Sequence, residues 1–318
     1  SFTKKICNLG KIPTANSKTF SNLKTAKSFL KYCDFPIVIK ADGLAEGKGV
    51  VIAESKQVAF STVESIFGGA FGIAGELIVI EEFLQGEELS YFVLCDGKTL
   101  LPIGSAQDHK RAFDGDTGPN TGGMGAYSPA PILTKSLERK ILSKIIEPTI
   151  EIMNSKGLPF TGVLYAGLMV RNGEPSLIEY NVRFGDPECQ VLMVRLGGQI
   201  LDVLLDCAQK NLHQSKINWA CDTAISIVMA ADGYPKTYKK GTVIRNIDLA
   251  ENIKGVEVFH AGTKNNNGDI LANGGRVLNI TCRESSLRLA QSKAYEAIAL
   301  IDWEEGFYRK DIGWQGLK

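Results

Sequence analysis

The chain has 318 residues, a length that makes two or three compact units a better prior than one. Apolar residues at 44% and charged residues at 22% exclude a disordered or fibrous class, and 36 Lys and Arg against 35 Asp and Glu leave a net charge of +1, too weak a field to recruit nucleic acid or an anionic membrane. No apolar run approaches the roughly 18 residues a spanning helix needs, the opening SFTKKICNLG lacks a signal core, and seven scattered cysteines without a C-x-x-C pair read as reduced thiols of a cytoplasmic protein.

In chain order, PIVIK (36–40), VVIA (50–53) and LIVIEEF (77–83) read as strands. YFVL (91–94) and LLPIG (100–104), joined through Asp96-Gly97, predict a hairpin, and LYAGLMV (164–170) and SLIEYN (176–181), joined through Asn172-Gly173, predict another. Between them the spacing of Leu137, Ile141, Ile145 and Ile152 predicts a helix from about Lys135 to Asn154 that Pro148 should kink or break. A second helix is expected over Gln190 to Asn211. Beyond a boundary near residues 212–222, AISIVMAA (224–231), VEVFHAGT (256–263) and RVLNIT (276–281) read as strands, and Ser285 to Leu300 as a helix with Leu287, Ala290, Ala294 and Ala297 inward. Antiparallel hairpins mixed with helices point to an α+β fold rather than an alternating parallel sheet.

Polar chemistry gathers in a few segments. In IVIKADGLAEGKGV (37–50) a buried strand ends in Lys40, and Gly43, Gly47 and Gly49 free the backbone to aim N–H groups at an anion, with Lys40 and Lys48 adding positive charge. It is not a Walker loop, because Gly43 and Gly47 stand one residue too close; a plain glycine-rich hairpin with snorkelling lysines is the competing reading. In VIEEFLQGEELS (79–90) an apolar strand runs into Glu81, Glu82, Phe83 and Leu84, whose backbone edge suits adenine, and a carboxylate a few residues on, Glu87 or Glu88, can accept from ribose hydroxyls; a solvated acidic rim is the alternative. In SLIEYNVRFGDPE (176–188) Glu179 and Asn181 share a strand face, hard oxygen donors at a spacing that suits Mg²⁺, and Arg183, two further on, would share that face and hold a phosphoryl group. In SAQDHKRAFDGDTGPNTGGMGAYSP (105–129) Asp108, His109, Lys110 and Arg111 crowd beside a long glycine-bearing loop, where His109 is either a general base or a phosphate donor. No Cys–His or Ser–His pattern supports covalent catalysis, and His213 and His260 read as structural.

In this order the segments resemble the glycinamide ribonucleotide synthetase (phosphoribosylamine–glycine ligase) family, ATP-grasp enzymes of purine synthesis. The resemblance runs from FTKKICNLGKIPTA through the segments above and HAGTK to NGGRVL and FYRKDIGW; PNTGGMGAYSP and QDHKR are its most specific parts. It implies an ATP-grasp fold of two α+β lobes, a main lobe (1–16 and 81–219) and a flap lobe (17–80), then a C-terminal domain (220–318) of the biotin-carboxylase type. It implies that ATP, glycine and 5-phosphoribosylamine become glycinamide ribonucleotide, ADP and phosphate through glycyl phosphate. Lys40, Gly43, Gly47, Lys48 and Gly49 would hold the phosphates, Glu81 to Leu84 the adenine, Glu88 the ribose, and Glu179 with Asn181 the Mg²⁺ (or Mn²⁺). Arg183 and Asp186 would lie at the glycine and acyl-phosphate site. Asp108, His109, Lys110 and Arg111, with Pro119, Asn120, Thr121, Gly122, Gly123, Met124 and Gly125, would serve phosphoribosylamine. A monomer is expected, or a weak homodimer, with small-molecule partners and neither nucleic acid nor membrane.

Members of that family carry a preceding nucleotide-fold domain, and this sequence starts where it ends. The expectation is a truncated piece whose phosphoribosylamine site is incomplete and whose nucleotide grip persists; a catalytically incompetent Mg-ATP-binding fragment, or another ATP-grasp carboxylate–amine ligase, are the alternatives. The whole reading requires Lys40 and Glu179 to lie on one side of the molecule.

Overall fold

A computed structural model describes residues 1–43, 49–219 and 221–318. They divide into two compact units, one made of Ser1–Glu87, Ser136–Leu158 and Leu168–Glu179, the other of Glu88–Lys135, Pro159–Gly167 and Tyr180–Lys318. Gly47 and Lys48 of the expected flap fall outside the described residues. Among the described residues no helix is long and apolar enough to cross a membrane.

In the first unit, Ser17–Phe20, Ile78–Glu82, Ile37–Ala41 and Val50–Ala53 form an antiparallel sheet in that order. Period-two alternation sends Ile37, Ile39, Ile78 and Ile80 to one face, where they pack with Ala26, Leu30, Ala59 and Val63 of the helices Leu23–Leu30 and Lys56–Ser65. Asn22 and Ser55 cap those helices, accepting from the N–H groups of Lys24 and Val58. The alternation also sends Lys40 and Glu81 to the opposite face.

In the second unit an antiparallel sheet runs Glu87–Asp96, Leu100–Asp108, Gly125–Ser128, Thr223–Ala231, Arg276–Glu284, Val256–His260. The helix Leu287–Leu300, capped by Ser286, buries Leu287, Ala290, Ala294 and Ala297 against it, small residues that let the helix approach closely. The strands Thr161–Arg171 and Glu174–Asn181 form a hairpin whose Asn172 and Gly173 both take positive φ, 54° and 71°, as an Asn-Gly turn requires.

One helical expectation holds and one changes. The helix is interrupted at Pro148: a wider turn over Leu142–Ile146 precedes it, and Pro148 sits in the first turn of Glu147–Ser155, where its missing N–H is not needed. Leu137, Ile141 and Ile145 are buried as the stripe requires. The span Gln190 to Asn211 is two helices, Glu188–Leu196 and Gln199–Ala208, because Gly197, at φ 57°, and Gly198 interrupt it.

The last residues of the chain reach back to the loop after Asp108. Arg309, its side chain fully buried, pairs with Asp116 and Asp311 at 2.8 Å each and donates to the carbonyl of Arg111. The neighbouring His109 ring and the Arg309 guanidinium hold the Asp116 carboxyl well below the usual carboxylate range, against the opposing effect of its partial burial. Asp116 therefore contributes stability that is present above about pH 4 and fades as the pH falls toward its native value. Arg309→Met should cost about 3 kcal/mol near neutral pH, the lower end for a broken buried pair because both carboxylates keep some water. Urea unfolding across the acid range checks this: the deficit should shrink below about pH 4, and a deficit independent of pH would refute the assignment.

Candidate active site

Lys40 lies opposite Val79, and Glu81 opposite Val38, so the two charged side chains are diagonal neighbours on one sheet face. Glu81 is only 6% exposed and sits between two ammonium groups, Lys40 Nζ at 3.0 Å and Lys4 Nζ at 3.3 Å. One carboxylate between two lysines leaves a local surplus of one positive charge, which suits a phosphate chain. Lys40 Nζ also donates to the carbonyl oxygen of Ile178 at 3.4 Å, and the next residue is Glu179. Lys40, the candidate phosphate-binding lysine, thus touches the residue before Glu179, the candidate metal ligand, within the first unit.

At the base of the glycine loop the Ala41 N–H donates to the Gly49 carbonyl at 2.9 Å, and the Gly43 N–H to that of Ala74 at 3.1 Å. A Cβ on Gly43 would stand 2.4 Å from Ala74 Cα, so only glycine allows this backbone approach. The strand end differs from expectation. Glu81 is paired on both sides, by Ser17 and by Val38, because its strand is central, and the Glu82 N–H donates to Asn16. Glu81 thus lies within the ladder and the Glu82 N–H is taken; Phe83 and Leu84, half-buried beyond the last paired residue, are the ones that leave the ladder.

Glu179 is exposed, and with Asn181 it ends the strand Glu174–Asn181, two residues apart on one face. Among the described residues no three His, Cys, Asp or Glu side chains converge as a metal cage. A carboxylate and an amide oxygen alone fit an ion that takes its remaining ligands from phosphates and water. Arg183 is not in phase with them: the strand stops at Asn181, and Arg183, exposed, donates to the adjacent Phe184 carbonyl at 2.7 Å.

A second cluster occupies the second unit. Arg276 holds Asp186 by its carboxylate, at 3.0 Å, and by its carbonyl, and donates to the carbonyl oxygens of Gly122 and Gly123 at 2.9 and 3.5 Å. Asn279 and Gln190 donate to the other Asp186 oxygen at 3.4 and 3.1 Å. Asp108 has a buried Oδ1 with no hydrogen-bond partner among the described residues. Burial first, and then the Glu188 carboxylate, push its carboxyl well above the usual range. Glu188, 3% exposed, accepts from Tyr165 at 2.8 Å and Ser90 at 3.2 Å. Lys110 pairs with Glu88 at 2.6 Å, joining the expected ribose carboxylate to the QDHKR segment. A groove of about 630 Å³ beside Met193, Asp222, Phe259 and Arg283 includes none of these residues.

The family model for the phosphoribosylglycinamide synthetase ATP-grasp (A) domain matches residues 1–189, and that for the C domain of the same synthetase matches residues 224–315. A phosphoribosylamine–glycine ligase of Brucella melitensis is 53% identical over 317 residues, the whole of this chain and 74% of that protein. The chain belongs to the phosphoribosylamine–glycine ligase family. A chloroplastic ligase of Arabidopsis thaliana is 51% identical, with 60% of its length covered. The crystal structure of the Thermotoga maritima phosphoribosylamine–glycine ligase superposes at a TM-score of 0.88 with 32% identity, over 98% of this chain and 77% of that one. A biotin carboxylase domain of Hydrogenobacter thermophilus, at 15% identity and a TM-score of 0.73, shares the fold. The fold is therefore ATP-grasp, followed by the family's C domain.

Several expected substrate residues of this family member lie inside the protein. His109 is 1% exposed, and its Nε2 accepts from the Gly313 N–H at 2.9 Å. Met124 is fully buried with Ile227 and Ile280, and Gly125 begins a strand. These three fix the loop from within, because its return leg is a core strand; Arg111, donating to Gly118 at 2.8 Å, braces the outer part. Pro119, Asn120 and Gly122 are exposed. Sequence reasoning gave no role to Lys4, Arg276, Asn279 or Glu188. Lys4 carried a signal, as a lysine one turn from Cys7 on the buried stripe of its helix.

Gly123, at φ 116°, leaves no room: a Cβ would stand 2.5 Å from Pro187 Cδ and 2.7 Å from Asp108 Oδ1. Gly123→Ala should destabilise the second unit by about 1–3 kcal/mol. Calorimetry should show the transition lowered, and an unchanged transition would mean that the loop relaxes freely.

Proposed function

We propose that this chain performs the ligation of its family: ATP, glycine and 5-phosphoribosylamine give glycinamide ribonucleotide, ADP and phosphate. The observation that carries the reading is the cluster of Lys4, Glu81 and Lys40, its positive surplus next to the strand end that bears Glu179. In the first step a carboxylate oxygen of glycine attacks the γ-phosphorus, and the bond to ADP breaks. In the second the amine nitrogen attacks the glycyl carbonyl carbon, phosphate leaves, and the amine gives up a proton. Neither step needs a protein nucleophile, only alignment and neutralised charge.

Lys40 would bind phosphate oxygens with its remaining N–H, and Phe83 and Leu84 would take the adenine. Glu179 and Asn181 would hold a divalent ion, Mg²⁺ or Mn²⁺, which neutralises phosphate charge when bound. Asp186, fixed by Arg276 and Asn279, and Arg183 would serve glycine; Asp108, Lys110 and the exposed part of the loop at 119–122 would serve phosphoribosylamine. The Ser17–Glu82 sheet and its two helices would form the flap lobe. The free cysteines favour a reducing compartment such as the cytoplasm, and a monomer or a weak homodimer would suffice for these small-molecule partners.

Phosphate release from ATP should require both glycine and phosphoribosylamine, and release driven by bicarbonate instead would refute this assignment. Glu179→Ala should abolish the Mg²⁺ dependence of ATP binding while leaving the thermal transition within about 1 °C, as expected for an exposed side chain. Calorimetry with and without Mg²⁺ measures the first point, and retained metal dependence would remove Glu179 from the metal site.

A further inference from the structure

Lys4 is mostly buried, and its three N–H groups match three acceptors: Thr14 Oγ1 at 2.8 Å, the Ala15 carbonyl at 2.9 Å and Glu81 Oε1 at 3.3 Å. Burial lowers its pKa, opposed by the Glu81 charge. Thr14 Oγ1 in turn donates to the Leu177 carbonyl at 2.7 Å, and the Leu177 N–H donates to the Pro13 carbonyl at 2.7 Å. On the other side of Glu81, Lys40 donates to the Ile178 carbonyl. The polar contacts therefore close a ring, from Lys4 through Thr14 to the strand at 177–178, back through Lys40 and Glu81 to Lys4. No member of this ring other than Lys40 and Glu81 was expected from the sequence to touch the nucleotide.

We propose that Lys4 is a positioning residue for nucleotide binding that acts through Glu81 on Lys40. It fastens one oxygen of Glu81, so that the other aims Lys40 along the strand that bears Glu179. It also takes half of the carboxylate's charge. Without Lys4, the whole charge of a nearly dry carboxylate falls on Lys40 alone, which draws the ammonium into a closed pair and cancels the field it offers to phosphate. With Lys4, two of the three Lys40 N–H groups are engaged, and among the described residues the third has no partner. Lys4 makes no contact with the phosphates in this scheme; its influence passes through one carboxylate.

The inference rests on the reading of Lys40 as the phosphate-binding lysine, and the test separates the two. Binding of Mg–ATP and of adenosine is measured by titration calorimetry and ligand-observed NMR on the purified chain. Lys4→Met should weaken Mg–ATP about ten-fold, the scale of a hydrogen bond to a charged group, and leave adenosine within about two-fold. Lys4→Arg, which keeps the charge, should recover most of the loss. In a Glu81→Gln background, Lys4→Met should change Mg–ATP affinity by less than about two-fold, because the intermediary is gone. Equal weakening of ATP and adenosine, or effects that add across the two sites, would overturn the proposal. Should Lys4→Met alone fail to fold, the comparison of Glu81→Gln with the double variant, which leaves no unpaired buried carboxylate, still decides it. A Lys40→Ala variant with undiminished Mg–ATP binding would instead refute the assignment of Lys40.

Discussion

A carboxylate with 6% of its surface in water keeps its charge only with countercharge at hand, and Glu81 has an ammonium on either side. Much of the first unit follows from that arrangement. The central strand must present Glu81 on the face away from the helices, so the aliphatic residues of the same strand cover the helices by alternation. Lys4 must come from the first helix and Lys40 from the neighbouring strand; Lys40 then reaches the strand that carries Glu179 directly, and Lys4 only through Thr14. The positive surplus that remains is the electrostatic reason for an anion to be bound there.

The second unit uses a guanidinium for a comparable purpose. Arg276 gathers the turn that bears Asp186 and the glycines of the long loop, accepting no proton and donating in a planar fork that matches carbonyl and carboxylate oxygens. The Gly123 position shows how closely these segments pack: the space a methyl group would need is taken by Asp108 and Pro187. A site assembled from backbone carbonyls is rigid in a way that one built from long side chains is not.

Strands such as Val50–Ala53 and the Asn172-Gly173 hairpin were legible because local alternation and turn chemistry act over a few residues. The long helix over residues 190–211 was misjudged because apolar periodicity continues across Gly197-Gly198, and the helical pattern outweighed the breaker. Glycine and strand chemistry pointed to Lys40 and Glu179, and their contact through Ile178 joins segments far apart in the chain. Lys4 and Arg276 were illegible in role, since their partners lie far off in sequence and only tertiary structure brings a lysine on a helix to a carboxylate on a central strand. His109 reads in the sequence as part of a candidate functional loop, but the Gly313 N–H that occupies its ring nitrogen lies about two hundred residues further on.

The clamp formed by Arg309 and its neighbours joins residues separated by nearly two hundred positions: Arg309 with Asp116, the Lys310 N–H with Asp114, the Gly313 N–H with His109. A polypeptide emerges from the ribosome with its amino end first, so the loop between His109 and Gly125 must wait for about two hundred further residues before its inner anchors arrive. Until then those carboxylates and the imidazole face water or transient partners. That loop consequently gains these anchors only after the strands that precede it have had time to pair.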